Sequence, residues 1–316
     1  MSGSGGSVCS CSAPQNTRRI IASARRDSTY RIVQISGASF LGNCFHVTTA
    51  KGFASMIDLH CHMLPGIDDG AADLAISLAM ARVAVADGIR VTACTPHIYP
   101  GMYENTGAGI RLAIDRFRRA LREAGIELDL VIGADVHLTP DLIENLRSGH
   151  TPTLNDTRYF LLEPPHHVAP PRFENAVFAT LAAGYVPVIT HPERLSWIES
   201  HYEVFARLVH QGAWMQLTSG SLTGRFGRRP RYWAERMLDE GLAHLVATDS
   251  HGVDRRPPLL EEGRQAAARR VGENEARRLV HDRPRAILDN LPPGEVAGPE
   301  PRLVPARRLL RWLGKR

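Results

Sequence analysis

Met56-Ile57-Asp58-Leu59-His60-Cys61-His62 reads as a short β-strand ending in polar residues. Side chains two apart on a strand share a face, so His60 and His62 point the same way at its C-terminal end. The pattern recurs along the chain. Strand-like apolar runs cover 57–60, 90–95, 128–134, 159–163, 186–190, 214–218 and 244–248. Helical periodicity fills most of the gaps, at 74–86, 109–124, 173–183, 202–211, 231–240, 259–271 and 273–280. Gly88, Gly125, Gly184, Gly212 and Gly241 close the crossovers, as helix C-caps do. This alternation predicts an α/β fold with parallel strands. Seven βα units in succession predict a barrel rather than two open sheets.

The polar residues fall where such a fold would use them. After His60 and His62 come Thr95-Pro96-His97, then Asp135 and His137, Glu163, His191-Pro192-Glu193-Arg194, and Asp249-Ser250-His251. Six of the seven strands deliver His, Asp or Glu at their C-terminal ends, which converge on one mouth in a parallel βα barrel. Any one strand-end histidine is more often a surface residue than a ligand; the repetition is what predicts a metal centre. Imidazoles and carboxylates without thiolates suit manganese, iron or zinc, and the set is too large for one ion. His46, His150, His201, His210 and His281 lie away from strand ends and read as surface residues. His166 and His167 read as solvated loop residues near the mouth. Arg194 and Arg256 stand beside it, and guanidinium is suited to bidentate contact with phosphate.

Composition removes several alternatives. The formal charge is +5 over 316 residues. Residues 1–55 carry +5 and 292–316 carry +4, leaving −4 for 56–291. A broad nucleic-acid footprint on the folded part is therefore not expected. No apolar run reaches the roughly 20 residues of a membrane-spanning helix. Cys9, Cys11, Cys44, Cys61 and Cys94 form no CxxC pair and suggest neither a zinc ribbon nor a disulfide framework. A reducing, cytoplasmic setting is expected. None of the five is followed six positions later by Arg, so a cysteine-nucleophile phosphatase is not expected. Residues 1–55 read as a disordered or transit-like leader, or as sequence upstream of a start at Met56. Residues 292–316 read as a basic tail containing Pro and Gly, at most a peripheral contact for an anionic membrane.

Met56-Ile57-Asp58-Leu59-His60-Cys61-His62-Met63-Leu64-Pro65-Gly66-Ile67-Asp68-Asp69-Gly70 resembles a signature of the polymerase and histidinol phosphatase (PHP) family of metal-dependent phosphoesterases. Within it, the sequence is most similar to bacterial tyrosine-protein phosphatases of capsule and exopolysaccharide operons. Thr95-Pro96-His97, His191-Pro192-Glu193-Arg194, the loop from Gly220 to Gly227, Asp249-Ser250-His251 and Arg256-Pro257 extend the likeness across 56–291. The resemblance implies a distorted seven-unit (β/α) barrel and three divalent ions, manganese foremost, with iron or zinc as alternatives. His60, His62 and Asp249 would hold the first ion, and Asp135 would bridge to the second, completed by Glu163 and His191. Asp69, or the adjacent Asp68, would hold the third with His97 and His251. Arg194 and Arg256 would clamp phosphate. Two positions depart from the family. Asp135 stands where Glu is usual, a methylene shorter, with His137 on the same strand face to compensate. Thr218 stands where relatives carry Asn.

The implied chemistry is in-line attack on phosphorus by hydroxide held on the metals, without a covalent phosphoenzyme. The implied substrate is phosphotyrosine on an autokinase controlling polysaccharide export; self-association into a homo-oligomer is compatible with the sequence. Three alternatives are carried forward: a small-molecule phosphomonoesterase such as histidinol phosphatase, a metal-dependent deaminase or amidohydrolase, and a non-catalytic phosphoprotein-binding barrel. The paired arginines favour phosphate over a neutral amide.

Overall fold

The computed structural model describes residues 55–302. The leader, apart from Ser55, and the basic segment from 303 onward lie outside the described residues. Among the described residues nine parallel strands are seen: β1 (Met56–Cys61), β2 (Ile89–Cys94), β3 (His97–Ile98), β4 (Asp129–Ile132), β5 (Asp135–His137), β6 (Tyr159–Glu163), β7 (Val186–Thr190), β8 (Trp214–Thr218) and β9 (Leu245–Ala247). They form two sheets, β1-β2-β4 and β3-β5-β6-β7-β8-β9. The α/β reading with parallel strands therefore holds, while the strand ladder is divided rather than one seven-stranded sheet.

The division arises inside one expected run and at the end of another. The run at 128–134 breaks at Gly133, where a Cβ would come within 2.9 Å of both Leu154 and Thr95 side chains. β4 stays with the first sheet and β5 joins the second. A similar step across Thr95-Pro96 detaches the two-residue β3 from β2. Backbone hydrogen bonds carry across these breaks, Thr95 N to Cys61 O at 3.0 Å, Gly133 N to Cys94 O at 3.1 Å and Asp135 N to Pro96 O at 3.2 Å. At the other end of the order, Asp249 N donates to His60 O at 2.8 Å and His62 N to Ser250 O at 2.9 Å, tying β1 to the end of β9.

The main helices follow the periodicity: α1 (Leu74–Asp87), α2 (Gly107–Glu123), the unanticipated short α3 (Leu142–Ser148), α4 (Phe173–Ala182), α5 (Ile198–Gln211), a further short α6 (Ser219–Thr223), α7 (Arg228–Asp239) and α8 (Glu261–Val271). Gly88, Gly125, Gly184, Gly212 and Gly241 all have positive φ, as expected of residues that end helices. Buried apolar residues pack the strands against these helices. A second core comes mainly from strands, with Ile57, Leu59, Tyr159, Leu161, Val188 and Trp214 among its members. Glu163 follows Tyr159 and Leu161 at the strand period of two, so its carboxylate stands next in line beyond this core. Residues 292–302 lie against the body: buried Arg283 donates to Ala297 O and Gly298 O, and Arg302 N to Asp239 O. No described helix is long and apolar enough to cross a membrane.

Candidate metal centre

The nine expected ligands come together at the C-terminal ends of the strands. The pairing of β1 with β2 slips by one residue between Asp58 and Cys61. Such a bulge re-aims side chains. Here Leu59 packs into the strand core, while His60 and His62 bring their Nε2 atoms within 3.1 Å of each other. His60 Nδ1 donates to Gln216 Oε1 at 2.8 Å, and His62 Nδ1 to Asp68 Oδ2 at 2.8 Å. With a proton on Nδ1 and none on Nε2, each ring would turn an Nε2 lone pair inward, the arrangement that orients metal-ligating histidines.

Around this pair stand the carboxylates. Asp249 Oδ1 lies 3.3 Å from His60 Nε2 and 3.5 Å from His62 Nε2. Asp135 Oδ2 lies 3.4 Å from His60 Nε2, 3.6 Å from His97 Nδ1 and 4.0 Å from His191 Nε2. Glu163 Oε1 faces His191 Nε2 at 3.6 Å. Asp69 Oδ1 faces His97 Nε2 at 3.4 Å and His251 Nε2 at 3.3 Å. The adjacent acids divide their tasks. Asp68 turns onto His62 and the His97 backbone N–H, and Asp69 onto the other two rings. His191 and Asp249 have positive φ, a costly conformation for these residues that occurs here at two turns feeding the centre.

These residues fit divalent ions. Both oxygens of Asp135, Oε2 of Glu163, Nδ1 of His97 and Nε2 of His251 are buried without a hydrogen bond. Donors each about 2.1 Å from one ion stand roughly 3–3.5 Å apart, which is the spacing seen here and longer than a good hydrogen bond. Five overlapping sets have donor atoms within 4.8 Å of one another: His62–Asp69–His97–His251, His60–His191–Asp249, His60–His62–Asp135, Asp135–Glu163–His191 and His97–His137–Glu163. Most protonation states are also ligand-ready. Burial alone would raise the Asp135 and Asp249 carboxyls. The surrounding histidines outweigh it at Asp135, as do Arg256, His60 and Arg194 at Asp249, and both are held below the usual range. Burial drives His191 well below its ordinary value and His251 down to about 4, leaving both neutral. His60 and His62 are the exceptions: burial lowers both, but Asp135 and Asp249 outweigh it and raise His60, and Asp249 and Asp68 outweigh it and lift His62 to about 10.

Arg194 and Arg256 both pair with Asp249 Oδ2. Phe226 lies beneath them, its ring centroid 4.7 Å from the Arg194 guanidinium carbon and 6.0 Å from that of Arg256. Glu193 Oε1, accepting from Thr218 N at 2.9 Å, ties the arginine turn to the segment that carries Phe226. A cavity of about 490 Å³ opens beside Asp69, His251 and Arg256. The half-buried His166 ring stands 6.1 Å from that of His191, while His167 is exposed. Gln216 and Phe226 escape the reading of strand ends. The signal for Gln216 was a lone amide inside the apolar run Trp214–Thr218. Cys61 and Cys94 are buried thiols, with burial pushing Cys94 up to about 12 and Cys61 well above its usual value. Neither has the thiolate character of a nucleophile.

Parallel strands whose ends gather histidines and carboxylates beside two arginines define an α/β protein with a candidate polynuclear metal centre. The chain belongs to the family described as "Capsular polysaccharide synthesis, CpsB/CapC", which matches residues 56–289. It is 40% identical over 201 residues to tyrosine-protein phosphatase YwqE of Bacillus subtilis (strain 168), covering 64% of this chain and 79% of that protein. Tyrosine-protein phosphatase CpsB of Streptococcus pneumoniae is 30% identical over 238 residues, covering 74% of this chain and 98% of the relative. A crystal structure from work on YwqE of Bacillus subtilis and CpsB of Streptococcus pneumoniae, described as unique metal-dependent tyrosine phosphatases, superposes with a TM-score of 0.74 at 35% identity. It covers 79% of this chain and all of its own.

Proposed function

We propose that this chain is a metal-dependent protein-tyrosine phosphatase acting on a phosphotyrosine-bearing autokinase of capsule or exopolysaccharide synthesis. The observation that carries the reading is the cluster of inward, unpartnered donor atoms beside two arginines, in a chain 40% identical to a tyrosine-protein phosphatase. His60, His62 and Asp249 hold one ion, Asp135, Glu163 and His191 a second, and Asp69, His97 and His251 a third, with manganese the preferred metal. Divalent ions bound there lower the pKa of water and offset phosphoryl charge. Gln216 and Asp68 keep the two central rings in their ligand tautomer. Arg194 and Arg256 exchange Asp249 for the phosphoryl oxygens when substrate enters, and Phe226 holds them level with it. A tyrosyl phenolate, with a pKa of about 10, leaves more readily than a serine alkoxide and asks less of a proton donor.

The two sheets are read as a distorted seven-unit barrel, supported by the hydrogen bonds between β1 and the end of β9 and by the chain running directly from β2 to β3 and from β4 to β5. Residues 56–291 form the phosphatase domain, working in the cytoplasm. The test is a substrate panel with manganese-loaded protein: phosphotyrosine peptide, phosphoserine peptide and histidinol phosphate. The reading expects the highest kcat/KM for phosphotyrosine peptide. Preference for histidinol phosphate would replace it with a small-molecule phosphomonoesterase.

A further inference from the structure

His137 belongs to none of the three ligand sets, yet its surroundings are those of a ligand. It is the register partner of Glu163 across the β5–β6 ladder, so the two side chains stand side by side on one face. His137 Nε2 lies 2.5 Å from Glu163 Oε2. Glu163 Oε2 nevertheless makes no hydrogen bond, and neither does His97 Nδ1, 3.4 Å from the same oxygen. Three donor atoms therefore face one another; the His137–Glu163 pair lies within ion-pair reach and must open to roughly 3 Å to share an ion, while His97 Nδ1 has no hydrogen bond. Tyr99 stacks on the His137 ring, centroids 3.8 Å apart and planes 12° from parallel, which holds the imidazole toward Glu163.

Glu163 is also two-sided. Its Oε1 faces His191 in the second set and its Oε2 faces His137 and His97. We propose that His137 is a metal ligand, forming with Glu163 and His97 a further cation position at the rim of the centre. This rests on the reading of the site as a metal centre. Glu163 then supplies a bridge between inner and rim positions through its two oxygens. His97 faces Asp69 through Nε2 and the rim through Nδ1. A neutral imidazole has one lone pair to give, so the rim ion competes for His97 and is the weakest bound.

The test is manganese binding by the full chain after chelation and dialysis, read by metal analysis at rising free manganese. Wild type, His137→Ala and His137→Gln are compared, with the visible spectrum of each cobalt-loaded protein. The weakest class of sites is expected to weaken at least about tenfold in both variants, with the tighter classes unmoved. The cobalt spectrum should lose intensity or shift as an imidazole leaves. Superimposable isotherms and spectra would make His137 only a neighbour of Glu163 and overturn the proposal, leaving the three-set reading standing. Wild-type protein that binds no manganese would overturn both. Should His137→Ala fail to fold, His137→Gln, which keeps a donor beside Glu163, decides by its isotherm and spectrum.

Discussion

Asp249 is the residue on which the centre turns. One oxygen faces His60 and His62, and the other receives Arg194 and Arg256. The arginines are therefore held at the edge of the ligand cluster, where phosphoryl charge would build. Replacing Arg194 or Arg256 by Ala should lower kcat about 10²- to 10³-fold while leaving bound metal unchanged, as steady-state kinetics with metal analysis would check. Lys should restore little, because it lacks the planar fork. Equal kinetics for wild type and both Ala variants would remove the arginines from the chemistry. The histidines and carboxylates of the cluster were legible at this scale because the strand period places residue types at an end. Their supporters were less so. The roles of Gln216, Asp68 and Phe226 depend on which atom points where, and no spacing encodes that.

At the scale of elements, the irregularities shape the site. The slip in β1 lets an apolar strand end in two inward histidines, and the break at Gly133 hands Asp135 and His137 to the second sheet. The helices and most strands were legible from periodicity. The breaks were not, because they depend on the room a neighbour leaves: Leu154 and Thr95 crowd Gly133 from distant parts of the chain. Gly70 is a similar case. A Cβ there would lie 2.0 Å from His62 O and 2.5 Å from His62 Cβ, and Ala71 N already donates to that oxygen. Gly70→Ala must push the loop away from His62, a proposed ligand. It should destabilise the fold by about 1–3 kcal/mol and weaken manganese binding. Thermal melts with and without manganese would show a smaller metal-induced rise in Tm than wild type. An unchanged rise would mean that the loop moves without disturbing His62.

For the whole molecule, charge and composition already separated a slightly acidic body from basic ends, and alternating strands and helices gave the fold class. The division into two sheets and the packing of residues 292–302 on the body were not legible, because both rest on contacts between remote segments. Arg283 is the example: it is buried in a helix near the end of the body and binds carbonyls of Ala297 and Gly298, residues that composition alone assigns to a tail. The likeness to a structure described as a metal-dependent tyrosine phosphatase, with a TM-score of 0.74, spans 79% of this chain. The most direct measurement is hydrolysis of a phosphotyrosine peptide by the full chain, stripped with chelator and then reloaded stepwise with manganese, with bound metal counted at each step. The account predicts that activity disappears on stripping and returns as the ligand sets fill. Full activity in protein shown to hold no metal would contradict it.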